Sequence, residues 1–209
     1  MALQPDLSFE QDLWYSGQPY LAGLDEAGRW AWAGPVAAGA VMLPADASIL
    51  ERLYGVRDSK LMTPRQRQYW AVQVKELCVC WGVGFATHAE IDRWGIVPAT
   101  RLAMQRALEQ LEPAGQHLLI DAVRLPQVDL PQTVLIKGDV RCLSIAAASV
   151  LAKTTRDAWM QTAGQEYQGY GFERHKGYGT LMHQQALARL GPCPIHRLSF
   201  APLHGFEIH

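Results

Sequence analysis

The chain has 209 residues, of which 49% are apolar and 19% charged, and its net charge is −1. That is one ordinary domain's worth of sequence with enough apolar residues for a core, which excludes a disordered chain. No run approaches the ~18 to 20 uninterrupted apolar residues of a membrane span. Met1 to Glu10 also lacks a basic stretch leading into an apolar one, so no secretory signal is expected and the cytoplasm is the default location.

In chain order, Tyr20 to Glu26 and Val36 to Leu43 are short apolar runs bounded by Gly and Pro, and are expected to be strands. Ala27 to Pro35 between them is a loop by its punctuation. Thr63 caps a helix that has Pro64 at its first position and Gln66 closing a capping box. Cys78 to Ala86 is expected to be a third strand, completing an antiparallel meander, with Cys78 and Cys80 on one face. No second Cys/His pair at ligand spacing accompanies them, so all four cysteines (Cys78, Cys80, Cys142, Cys193) are taken as core thiols. Thr87 with Glu90 repeats the capping box, which explains Glu90 as a cap. A helix follows over about Pro98 to Leu111. Two short apolar runs come next, His117 to Asp121 and Thr133 to Ile136. Leu143 to Glu166 is expected to be a long helix with a small-residue face, and Thr180 to Leu190 a final one stopped by Gly191-Pro192. Strands first, then alternation, then helices indicate a mixed α/β layer with a helical tail. No repeat or linker marks a boundary, so residues 1–209 are expected to form one domain.

Three of these strand ends present acids. Asp25 and Glu26 close the first run, Asp121 terminates Leu118-Leu119-Ile120, and Asp139 follows Leu135 to Gly138. Neighbouring residues of a strand point to opposite faces. Asp25 and Glu26 can therefore share a site only if the strand ends there and Gly28 swings Glu26 round, or if Glu26 offers its backbone carbonyl. Carboxylates without a rich His/Cys set suit hard cations, Mg2+ or Mn2+. A pair of such ions activates water and stabilises the leaving oxygen of a phosphodiester. The bland alternative is a scatter of surface ion pairs. Acids outnumber bases up to Ile136 (15 Asp/Glu against 11 Lys/Arg), whereas from Lys137 on bases lead 8 to 5. Any nucleic-acid surface must then be a local patch drawn largely from the second part.

Several motifs in order resemble one family. They are Asp25-Glu26-Ala27-Gly28-Arg29 with Ala33-Gly34-Pro35-Val36, Asp58-Ser59-Lys60, Leu118 to Asp121, Lys137-Gly138-Asp139, Ile145 to Asp157, Tyr170-Gly171-Phe172 with His175 to Thr180, and His196-Arg197 with Ser199 to Pro202. Together they resemble ribonuclease HII from about Leu21 to Pro202. The resemblance implies a ribonuclease H-like mixed five-stranded sheet flanked by helices. It also implies a core over about 20–165 and a C-terminal helical extension over about 166–209. The activity it implies is metal-dependent hydrolysis of RNA–DNA hybrids and of duplex DNA holding single ribonucleotides. Such enzymes cut on the 5′ side of the ribonucleotide and leave 3′-hydroxyl and 5′-phosphate ends; a monomer with no membrane attachment is expected.

Carried over by position, Asp25, Glu26, Asp121 and Asp139 are the metal-binding acids. Gly28, Arg29 and Trp30 are the junction-reading loop, and Tyr178 packs on the sugar beside the ribonucleotide. Lys60, Ser149, Lys153 and Lys176 contact the backbone. Two residues depart from the pattern. Trp30 stands where a glycine is usual, and if that position needs a positive φ the loop must rearrange and recognition of a lone ribonucleotide weakens. The opposing reading is a hybrid-binding protein with lost junction cleavage. Ala122 also replaces a glycine, at a cost only if its φ is positive.

Overall fold

A computed structural model of the chain describes residues 4–204; the outermost residues of the expected domain, 1–3 and 205–209, lie outside it. A short N-terminal helix α1 (Ser8–Tyr15) precedes strands β1 (Leu21–Ala27) and β2 (Val36–Met42). Then come α2 (Ile49–Arg52), α3 (Pro64–Leu77), β3 (Cys80–Ala86), α4 (His88–Trp94) and α5 (Ile96–Leu108). Strands β4 (His117–Asp121) and β5 (Gln132–Leu135) lead into α6 (Leu143–Glu166), α7 (Phe172–His175) and α8 (Leu181–Leu190). The sheet order is β3-β2-β1-β4-β5. Strands β1, β2 and β3 form the expected antiparallel meander, and β4 and β5 add to β1 in parallel. No described helix is long and apolar enough to cross a membrane.

Both capping boxes form, Thr63 with Gln66 and Thr87 with Glu90. The expected third strand starts later than its apolar run, because Cys78 still caps α3 by donating its N–H to Val74 O. Cys78 and Cys80 therefore share no strand face. Helix α5 begins at Ile96, earlier than Pro98, since Gly95 at φ 83° both ends α4 and opens α5.

Strand β1 is buried along almost its whole length, as a strand covered on both faces must be. Ala22 and Leu24 pack with β2, β4 and the α4–α5 pair through Ile91, Ala99, Ala103 and Met104. The alternate residues face α6. There Gly23 and Gly39 lie so close to the α6 backbone at Ser144 and Ala148 that a β-carbon on either would clash with it. The small residues Ala146, Ala147 and Ala148 allow that approach. The N-terminus of α6 is capped from a distance, because buried Glu10 accepts the Ser144 N–H at 2.8 Å through Oε1. A further cluster of Ala33, Met160, Ala163, Tyr170, Phe172, Ala186, Cys193 and Ile195 joins the end of α6 to the C-terminal segment.

Candidate active site

Strands β1, β4 and β5 run parallel, so their C-terminal ends meet at one edge of the sheet. The last paired residues of β1 and β4 are Leu24 and Ile120. Asp25 and Asp121 are one step further on, on the face toward α6, on strands about 5 Å apart. Asp121 Oδ1 accepts the Gly138 N–H at 2.8 Å, tying the third acid to the turn that carries Asp139. That turn, Gly138–Val140, follows β5 and is entered through Lys137 in the left-handed region.

The first strand does not end at Glu26 but runs to Ala27, which corrects the expected early termination. Asp25 and Glu26 thus keep opposite faces and reach one cavity because the sheet stops just beyond them. Asp25 Oδ1 accepts the Glu26 N–H at 2.7 Å. Burial, followed by the charges of Glu26, Asp121 and Asp139, holds the Asp25 carboxyl well above its ordinary pKa. Burial also raises Glu26, against the pull of Arg29, whose Nη1 is 3.4 Å from Glu26 Oε1. Asp139 is raised by burial and by Asp58, and Lys60 Nζ lies 3.6 Å from its Oδ2.

Among the described residues, no three His, Cys, Asp or Glu side chains already converge as a metal cage. The donor set nevertheless suits a hard cation. It is all oxygen, it is crowded with like charge, and Glu26 Oε2 is buried without a partner.

Asp25, Glu26, Gly28, Arg29, Trp30, Lys60, Asp121, Lys153 and Tyr178 line one cavity. Asp139 lines the adjoining one with Asp121 and Lys60. Lys176 lies in a third cleft that also takes in Lys153 and Tyr178. Ser149 does not reach a surface. It is buried, its hydroxyl 2.8 Å from that of Ser59, and it hydrogen-bonds the Asp25 carboxyl, so in this structure it supports the acid and is not open to a nucleic-acid backbone.

Trp30 is 75% exposed and its backbone lies outside the left-handed region, with the Arg29 guanidinium 5.7 Å from its ring centroid. The loop thus holds Trp30 without a positive φ. Among the described residues, the amides of Gly28, Arg29 and Trp30 donate to no protein group. Ala122 does take φ 55°, the strained outcome for a residue with a β-carbon.

Two residues were legible in the motifs but not in their role. Arg156 and Arg197 are fully buried. Arg156 donates to the carbonyls of Pro35, Lys176 and Ala33. Arg197 donates to those of Gly34 and Arg29. Arg156 thus ties the 28–35 loop to the segment holding Tyr178, and Arg197 ties the same loop to the C-terminal segment. Arg156 Cζ and Lys153 Nζ each lie 5.4 Å from the Tyr178 ring centroid. Lys153 is itself held by Asp157 at 2.6 Å, which also meets Arg67 at 3.3 Å. The available signal for Arg156 was its spacing: Ile145, Ser149, Ala152 and Arg156 share one helical stripe, so an arginine there points inward.

The description "Ribonuclease HII" belongs to a family model that matches residues 22–203. A ribonuclease HII of Roseiflexus castenholzii is 54% identical over 200 residues, covering 95% of this chain and 89% of that protein. One of Chloroflexus aurantiacus is 54% identical over 202 residues, covering 95% and 94%. Among solved structures, ribonuclease H2 from Pyrococcus horikoshii OT3 superposes with a TM-score of 0.73 at 26% identity, covering 88% of this chain and 94% of that one.

Proposed function

The chain belongs to the ribonuclease HII family, whose members are metal-dependent endoribonucleases, and we propose that it hydrolyses the RNA strand of RNA–DNA hybrids and cuts 5′ of ribonucleotides embedded in duplex DNA, leaving 3′-hydroxyl and 5′-phosphate ends. The observation that carries this reading is the position of Asp25 and Asp121 one residue past the last paired residues, Leu24 and Ile120, of two adjacent parallel strands, with Asp139 tied to Asp121 through Gly138.

Asp25, Glu26, Asp121 and Asp139 are the residues that would hold Mg2+ or Mn2+. Bound there, a pair of such cations supplies an activated water and offsets charge on the departing oxygen. The free amides of Gly28, Arg29 and Trp30 offer fixed donors to a 2′-hydroxyl, the group that distinguishes RNA from DNA. Tyr178 presents a ring to the neighbouring sugar. Lys60, Lys153 and Lys176 set the register on phosphates without reading sequence. The chain works as one domain, with the C-terminal extension that begins at about residue 166 completing the groove, acting as a monomer in the cytoplasm.

Cleavage of an end-labelled hybrid, and of a duplex with one ribonucleotide, tests the reading in the parent and in Asp121→Asn. Metal-dependent products from the parent and none from the variant, with binding retained, are expected. Equal cleavage by both would overturn the assignment of the acids.

A further inference from the structure

Tyr178, the residue proposed to pack on the sugar beside the ribonucleotide, stands between Gly177 and Gly179. A segment of that composition does not hold a side chain in place by itself, so whatever fixes the ring acts from outside it. Three buried histidines, His175, His183 and His196, lie against this segment. None of them lines the cavity that holds Asp25, Glu26 and Asp121. His175 and His183 stack with centroids 4.5 Å apart, and the rings of Tyr170 and Phe172 pack around the group.

An imidazole buried among apolar groups is costly unless its ring nitrogens find partners. Here every one does. His175 Nε2 donates to Tyr170 O at 2.8 Å, and its Nδ1 accepts the Gly177 N–H at 3.2 Å. His183 Nδ1 is 3.0 Å from Tyr178 O, and its Nε2 is 3.0 Å from His196 Nε2. His196 Nδ1 accepts the Cys193 N–H at 2.9 Å.

These partners fix where each proton sits. A carbonyl oxygen only accepts, so His183 carries its hydrogen on Nδ1 and leaves Nε2 bare. A backbone N–H only donates, so His196 Nδ1 is bare and its hydrogen is on Nε2. The contact between the two Nε2 atoms is thus a hydrogen bond from His196 to His183. Reversing either ring sets hydrogen against hydrogen or lone pair against lone pair. Burial brings the pKa of both rings down to about 4, so at neutral pH neither takes a second proton.

We infer that His183 and His196 are positioning residues for Tyr178, a relay in which the His196 donor locks the tautomer that lets His183 hold the Tyr178 carbonyl. The inference rests on the proposed role of Tyr178. His183 is in the first turn of α8, where a side chain leans back toward the helix N-terminus and so toward residue 178. His196 is bridged to Ala33, which joins the relay to the 28–35 loop. The same loop donates the Trp32 N–H to Gly177 O at 2.8 Å. The tyrosine is therefore set in one frame with the amides proposed to meet the 2′-hydroxyl.

Cleavage of a duplex with one ribonucleotide and of a hybrid is compared in the parent, His183→Leu, His196→Leu and His196→Gln, each with and without Tyr178→Ala. The sugar after a lone ribonucleotide lacks the 2′-hydroxyl that a hybrid has there, so a misplaced ring acts selectively on the first substrate. The leucine variants should lower kcat/KM on the single ribonucleotide, relative to the hybrid, about fivefold, the worth of one hydrogen bond. His196→Gln places an amide N–H where the Nε2–H was and should stay within about twofold of the parent. With Tyr178→Ala present, the leucine substitutions should no longer alter the ratio. Imidazole nitrogen NMR of the parent at neutral pH should show His183 protonated at Nδ1 and His196 at Nε2. Equal losses on the two substrates, a glutamine as damaging as leucine, a further fall in the ratio without the Tyr178 ring, or reversed tautomers would overturn the relay. Should a leucine variant fail to fold, the glutamine variant and the spectra still decide it. Failure of the parent chain to cut either duplex would overturn the proposed activity instead, while the spectra still read the relay.

Discussion

The guanidinium group of Arg156 lies directly against Gly28, in the space that a β-carbon on that residue would occupy. Gly28 also has φ 86°. One position thus combines a left-handed backbone, a buried cation and the first residue of the loop proposed to read the ribonucleotide.

Gly28→Ala should therefore destabilise the fold by about 2 to 4 kcal/mol, from backbone strain and displacement of Arg156. Arg156→Lys should cost about 3 kcal/mol, because an ammonium cannot serve three carbonyls in the fork geometry of a guanidinium. Urea unfolding measures both. Wild-type stability in Gly28→Ala would show that the loop tolerates a shift that this packing forbids.

Ala122 holds a left-handed backbone at φ 55° on the rim of the site. Ala122→Gly removes a steric cost of about 1 to 2 kcal/mol and adds entropy to the unfolded chain. A net gain of about 0.5 kcal/mol is expected, raising the melting temperature by about 1 to 2 °C. A lower melting temperature would mean that the alanine side chain contributes packing that outweighs the strain.

Glu10 is fully buried, and its Oε2 has no partner. Burial raises its pKa from 4.5, against hydrogen bonds from Ser144 and Cys142. The folded state therefore holds the proton more tightly than the unfolded one, and this group's contribution to stability falls as pH rises above about 4.5. Glu10→Gln keeps an acceptor for the Ser144 N–H and removes the charge, so its stability relative to the parent should increase between pH 4.5 and 7. Glu10→Ala should be less stable by about 2 kcal/mol, having left that N–H unsatisfied. A parallel pH profile for parent and Glu10→Gln would argue against an ionised, penalised carboxylate.

Trp30→Gly should change the ratio of single-ribonucleotide to hybrid cleavage by less than about twofold. The backbone at Trp30 is outside the left-handed region and its ring is turned to water, so glycine offers a conformation that the loop does not need. Measured kcat/KM on both substrates decides it. A selective rise on the single ribonucleotide would show that the ring itself obstructs the junction.

The sequence by itself determined the features that depend on near neighbours along the chain. The two capping boxes, the full extent of α6 and the meander follow from hydrogen-bonding partners three residues apart and from the alternation of side chains. The placement of Asp121 at a strand end is equally local. Tertiary structure decided what depends on burial by distant segments. Asp25 is pushed toward its protonated form because α6 covers it and other strands bring acids beside it. Ser149 became a support for that acid, and Arg156 and Arg197 became internal clamps on a loop more than a hundred residues away. Pattern alone cannot show such roles, because the worth of a charge or a hydroxyl is set by the water it loses and the carbonyls it meets, and both are known only once the chain has closed around it.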